Sequence, residues 1–233
     1  MHHFKNTLAT ALGAACLMAF TAHAAHAVTV NGFANGGFEN PVGINPLPPG
    51  GVTSFAGNWL SAPTGFAVTL SNDAHTGLHS ALLSVPTGFG GATMFQNSMD
   101  HGQLPALTAG DRPVLSFWAK GDASTTGNVG FNLRYLDGVG NIMNNQSGNQ
   151  FQNAINTSTW TQITLQGNVV PVGAVAAFLE MTTAVGPILD GRPNAVLIDD
   201  LYFGVTAVPE PGTYALLLAG LAGIGALVRR RQA

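Results

Sequence analysis

Between Val114 and Phe203 hydrophobic residues recur at every second position in short runs. Val129, Phe131, Leu133 and Tyr135 alternate with Gly130, Asn132 and Arg134, and Leu115 and Phe117 alternate with Ser116, Trp118 and Lys120. A period of two sends successive side chains to opposite faces of an extended chain, so each run predicts a strand with one buried and one exposed face. In 160–166, Ile163 and Leu165 point inward while Trp160, Gln162, Thr164 and Gln166 point outward; in 174–182, Val175, Ala177, Leu179 and Met181 oppose Phe178 and Glu180. The run 196–203 reads as a last strand, and 66–71, 80–85 and 92–98 as earlier ones. Turn signals at Asp137-Gly138, Asn141, Gly148-Asn149, Gly167-Asn168 and Pro171 separate them. Pro41 to Gly57, rich in Pro and Gly, and the polar stretch Gly138 to Gln150 read as surface loops. No stretch sustains a helical period. About eight short half-buried strands predict one all-β domain folded as a two-sheet sandwich.

The two ends follow different rules. Lys5 is followed by the apolar stretch Leu8 to Thr21 and by Ala25-His26-Ala27, a small-x-small site, with Ala22-His23-Ala24 as a second choice. This is the order of a secretory signal peptide spanning 1–27, cut between Ala27 and Val28; a retained N-terminal anchor is the alternative. At the other end, Pro209-Glu210-Pro211 precedes an uncharged, mainly apolar run from Thr213 to Val228, and Arg229, Arg230 and Arg231 follow it. As a helix, sixteen residues reach roughly 24 Å, somewhat short of a typical hydrocarbon core. The Arg cluster stays on the cytoplasmic side, which leaves the body outside. The chain therefore divides into a signal at 1–27, a body at 28–207 and a tail at 208–233 that carries a transmembrane helix.

Charged residues are only 8% of the chain. The body holds four cations, Arg112, Lys120, Arg134 and Arg192, against ten acids, a net of −6. A body so acidic has no surface to neutralise phosphates, which excludes nucleic acid as a partner. The single cysteine, Cys16, lies in the signal, so the mature body has neither a disulfide nor a thiolate site.

The triplet, the short Leu/Ala/Gly-rich run and the terminal Arg cluster resemble, in that order, the PEP-CTERM sorting tail of Gram-negative exported proteins. The resemblance implies processing near the triplet by an exosortase-type membrane enzyme, an inner-membrane-anchored precursor, and a producer of exopolysaccharide; a plain C-terminal anchor is the alternative. The body resembles jelly-roll modules related to carbohydrate-binding and galactose-binding-like domains. The residues that carry this are Asn35-Gly36-Gly37-Phe38-Glu39-Asn40 as an opening strand, His75-Thr76-Gly77-Leu78-His79-Ser80 as a turn into a strand, Leu115-Ser116-Phe117-Trp118-Ala119-Lys120, the strand start at Trp160, and Ile198-Asp199-Asp200-Leu201 as the closing strand.

That second resemblance implies two sites. A structural Ca²⁺ ion would tie the first strand to the last, with carboxylates from Glu39 and Asp200 and, from the loop Asp73 to Gly77, carbonyls or the Asp73 side chain. Adjacent strand residues face opposite ways, so only one of Asp199 and Asp200 is expected to reach it; the alternative is that these acids cap turns. A glycan face would use Trp118, Asn132, Arg134 and Glu180, which stand opposite the core stripes and are expected to share one sheet surface; alternatively Trp118 packs and Arg134 pairs with Glu180. No pair of acids is marked by a motif for glycoside hydrolysis, and no G-x-S-x-G elbow is present. The expectation is an exported, non-catalytic surface or extracellular-matrix protein that associates with exopolysaccharide, with a specific glycan-binding module or a surface hydrolase as alternatives.

Overall fold

A computed structural model describes residues 32–43, 50–63, 65–101, 109–123, 127–185, 188, 190–204, 220, 221 and 224. The signal peptide and its cleavage site, and the sorting triplet and Arg cluster, lie outside the described residues. Among the described residues, no helix is long and apolar enough to cross a membrane.

The body is a sandwich of two antiparallel sheets. One has six strands: β1 (Thr53–Ala56), β2 (Trp59–Ser61), β5 (Gly90–Asn97), β10 (Ala176–Val185), β7 (Gly127–Leu136) and β8 (Ile142–Gln150), in that order. The other has five: β3 (Thr69–Ser71), β4 (Ser80–Val85), β11 (Asn194–Gly204), β6 (Val114–Asp122) and β9 (Thr161–Gln166). From β4 onward the chain changes sheet at every connection except the β7–β8 hairpin. The alternating runs fill the space between the sheets: Leu115 and Phe117 from β6, Val129, Phe131, Leu133 and Tyr135 from β7, and Ala177, Leu179 and Met181 from β10 are all buried. Phe117 meets Phe131 and Phe151 edge-on, at centroid distances of 5.5 and 5.2 Å.

Three expectations change. The stretch 142–150, read as a loop, is strand β8, at one edge of the six-stranded sheet. An edge strand with little core to cover needs no alternation, so its Asn and Gln side chains carry no hydrophobic signal; instead Gln146 and Asn144 bond to the Asn168 backbone N–H and side chain. Within Pro41 to Gly57, 53–56 is the short strand β1, which pairs with β2 at the opposite edge. Asn35 to Phe38, read as part of a strand, is a turn, with Asn35 (φ 52°) and Phe38 (φ 56°) both left-handed. Asn tolerates that conformation; Phe rarely adopts it. Burial holds it there: Phe38 packs on Trp59 at 5.5 Å, and the Trp59 indole donates to the Asn35 carbonyl at 3.0 Å.

Close strand approach also constrains β6. Gly121 has φ 151°, and a Cβ there would stand 2.2 Å from the Ala195 carbonyl oxygen of β11. Backbone cannot step aside as a side chain can, so Gly121→Ala is expected to lower stability by about 2–4 kcal/mol in urea titration; a loss below half a kcal/mol would refute the packing argument.

Candidate functional site

The outer face of the six-stranded sheet is built by the residues that alternate with the core. β10 sets Phe178 beside Arg134 and Glu180 beside Asn132 on β7, because these pairs are directly opposite in the ladder. The Arg134 guanidinium lies over the Phe178 ring, 5.4 Å from its centroid, and 3.6 Å from the Glu180 carboxylate. Asn132 donates to Glu180 at 2.9 Å. Phe178 stacks on Phe95 of β5 at 5.7 Å. A shallow hollow of about 280 Å³ lies at one end of this cluster, between Asn97, Phe178, Arg134 and Ile142. A second, of about 150 Å³, lies further along β7 between Asn128, Asn132, Gln150 and Thr182. Arg134 Nε is buried with no hydrogen-bond partner. The face offers aromatic rings, amides, one cation and one carboxylate along a line of strand.

Asn132, Arg134 and Glu180 thus come together as expected, and Trp118 does not join them. It stands on β6 of the five-stranded sheet, on the opposite side of the sandwich. Alternation tells inside from outside but not which sheet a strand enters, so outward residues from two sheets look alike in the sequence. Trp118 instead stacks against His75 at 3.9 Å with the rings 13° apart, and His75 meets Trp160 edge-on at 5.8 Å. Lys120 lies 5.0 Å above the Trp160 ring and 2.6 Å from Asp73. Phe95 is not singled out by the sequence, while Phe178 reads there as outward and His75 only as part of the turn motif.

The acids expected around calcium converge on the loop 73–79, but on hydrogen donors. Glu39 accepts from the backbone N–H groups of Leu78 and His79, both at 2.9 Å. These two donors hold its carboxyl below the usual 4.5. Asp199 accepts from the N–H groups of His75 (2.7 Å) and Thr76 (3.2 Å). Asp200 meets His75 Nδ1 and the Thr76 hydroxyl, both at 2.6 Å. Both aspartates therefore reach one loop, against the alternation rule. The reason is local: the β11–β6 register slips between Asp199 and Tyr202, and Asp200 is left-handed at φ 47°. Burial pushes the Asp199 carboxyl above the usual 3.8, against the pull of its N–H donors. Asp73 is held by Lys120 at 2.6 Å. Among the described residues no three His, Cys, Asp or Glu side chains form a metal-binding group.

Gly77 lets the loop sit so close: at φ 67°, a Cβ there would fall 2.4 Å from Glu39 Oε1. A carboxyl with a lowered folded pKa contributes stability above its unfolded pKa and loses it as the pH falls through the folded value. Asp199, with a raised pKa, acts in the opposite sense. The Glu39→Gln variant is expected to be less stable at pH 7 and to show a flatter loss below pH 4.5 than the parent. Urea titrations at a series of pH values check this, and parallel profiles would refute it.

A search among curated proteins finds no match. Solved structures similar in shape include the enzymatically active domain of tailspike protein 4 of bacteriophage CBA120, at 23% identity and TM-score 0.49, covering 76% of this chain and 22% of that one. They also include the CBM22-1 xylan-binding domain of Paenibacillus barcinonensis Xyn10C, at 15% identity and TM-score 0.43, covering 65% and 88%. A third is the C-terminal family 22 carbohydrate-binding module of Clostridium thermocellum Xyn10B, at 20% and 0.39, covering 76% and 99%. The chain spans about a fifth of the tailspike. The PEP-CTERM protein-sorting motif matches residues 207–232, so the chain carries the C-terminal membrane-anchoring sorting signal of an exported protein, which implies processing by an exosortase-type enzyme.

Proposed function

We propose that this is a non-catalytic surface protein whose body holds a polysaccharide on the outer face of the six-stranded sheet. The observation that carries the reading is the run of Phe95, Phe178, Arg134, Glu180 and Asn132 between two hollows on one side of β7 and β10. Sugar rings present apolar C–H faces and hydroxyl edges. The two phenyl rings suit the faces, and the amide, guanidinium and carboxylate suit the hydroxyls, both as donors and as acceptors. The hollows are shallow and lie along a strand, and Asn128 to Arg134 spans roughly 20 Å. That form favours a chain laid across a surface over a small molecule enclosed in a pocket. Glu180 is the only carboxylate that the described strands of this face supply. Hydrolysis of a glycosidic bond uses two, which favours binding over turnover. Exopolysaccharide of the producing cell is the ligand that suits an exported, sorted protein.

The test is retention of the purified chain on that exopolysaccharide, with calcium and with chelator. Saturable retention is expected in both conditions. Arg134→Ala is expected to weaken it about ten-fold or more, because it removes a charged hydrogen-bond donor, whereas Trp118→Ala on the other sheet leaves it unchanged. Loss in Trp118→Ala with Arg134→Ala intact would move the site to the five-stranded sheet. Loss with chelator alone would assign the binding to an ion. Release of shortened glycan, abolished by Glu180→Gln, would make the protein an enzyme.

A further inference from the structure

The end of the sandwich at which β11 finishes is unlike the rest of the surface. Gly204, the last residue of β11, pairs with Val114, the first of β6, and Val114 pairs with Gln166, the last of β9. In the other sheet Ala176, Leu136 and Ile142 lie side by side at strand ends. Hydrogen bonds join the two sets through Asn168, just past the end of β9, Tyr135 to the Asn168 carbonyl at 2.9 Å and the Asn168 N–H to Gln146 at 2.9 Å, and the Val175 N–H ties the loop before β10 to the Leu136 carbonyl at 2.9 Å. The β7–β8 turn and the loop before β10 therefore share one pole with the exit of the chain. They also touch, since a Cβ on Gly173 would stand 3.5 Å from the Met143 methyl.

These two loops and the start of β8 carry Val139 (84% exposed), Ile142 (57%), Met143, Val169, Val172 (84%) and Val175, most of the exposed large hydrophobic side chains of the described body. Single exposed hydrophobics are ordinary; four on two adjoining loops, where polar turn residues are the rule, with two more at the start of β8 beside them, are a patch. The Asp137 carboxylate caps its own turn, accepting from the N–H groups of Val139 and Asn141. The capped turn thus presents Val139 outward. Beyond Gly204, eight residues precede the apolar run that starts at Thr213. Eight residues reach at most about 28 Å even when fully extended, and β11 is only two strand spacings, about 10 Å, from β9.

We propose that this pole rests on the lipid bilayer, with the tips of Val139, Ile142 and Val172 inserted among the headgroups while the tail is in the membrane. The proposal rests on the reading of the tail as a membrane-inserted sorting signal. The short tether holds the loops at high effective concentration near the surface, so shallow insertion of a few side chains suffices. The acidic body offers no electrostatic attraction to anionic lipid, and the apolar tips supply the contact instead. The outer sheet face then stands at right angles to the membrane and open to polymer.

The test uses the mature chain, Val28 to Ala233, reconstituted in phosphatidylethanolamine–phosphatidylglycerol vesicles. A nitrobenzoxadiazole label is placed at Val139→Cys, Val172→Cys or, at the opposite pole, Phe89→Cys. The chain is expected to float with the vesicles, and lipids with doxyl groups near the headgroup are expected to quench labels at 139 and 172 at least about three-fold more strongly than at 89. Equal quenching at all three positions, or none at 139 and 172 in a chain that floats, overturns the proposal and leaves the tail reading intact. Shielding of 139 and 172 from a soluble quencher without lipid quenching assigns the pole to a protein contact and also overturns it. A chain that does not float overturns the tail reading, and the proposal with it.

Discussion

The bulge at Asp199 and Asp200 is the constraint on which the rest of the body depends. β11 is the central strand of its sheet, flanked by β4 and β6, and a central strand normally keeps its register. Here the ladder slips, Asp200 turns left-handed, and two adjacent carboxylates reach the same side. That costs of order 1–3 kcal/mol of backbone strain. It is offset by the hydrogen bonds to His75 and Thr76, and the Leu201 N–H donates to the Gly36 carbonyl at 2.9 Å. One irregularity in one strand thus fixes the 73–79 loop and the turn that seats Phe38 on Trp59. N–H and O–H donors tie the start of the body to its last strand.

The two outer faces are then put to different uses. On the five-stranded sheet the polar and aromatic groups are spent on one another: Trp118 on His75, Lys120 on Asp73 and Trp160. That face anchors a loop. On the six-stranded sheet, Arg134, Phe178, Glu180 and Asn132 also touch, but they border hollows and leave Arg134 Nε without a partner. The difference between the two clusters lies in the hollows that only one of them borders.

The direction in which the chain leaves the body adds a third element. With β11 last and central, its end sets which pole faces the anchoring tail. The exposed apolar residues of that pole and the outer face of the six-stranded sheet lie on different parts of the surface.

The sequence by itself determined the all-β class, most strands, the inward and outward phase of each, and the sorting tail. Period-two alternation and the order of Pro209-Glu210-Pro211, apolar run and Arg cluster are local properties, readable from neighbours in the chain. It also placed Asn132, Arg134 and Glu180 on outward positions. Only the tertiary structure decided that Trp118 belongs to the other sheet, because phase carries no information about which sheet a strand joins. It alone showed β8, since an edge strand that covers little core has no pattern to display. And it alone brought Asp199 and Asp200 to one loop, because a bulge depends on the balance between backbone strain and contacts made more than a hundred residues away.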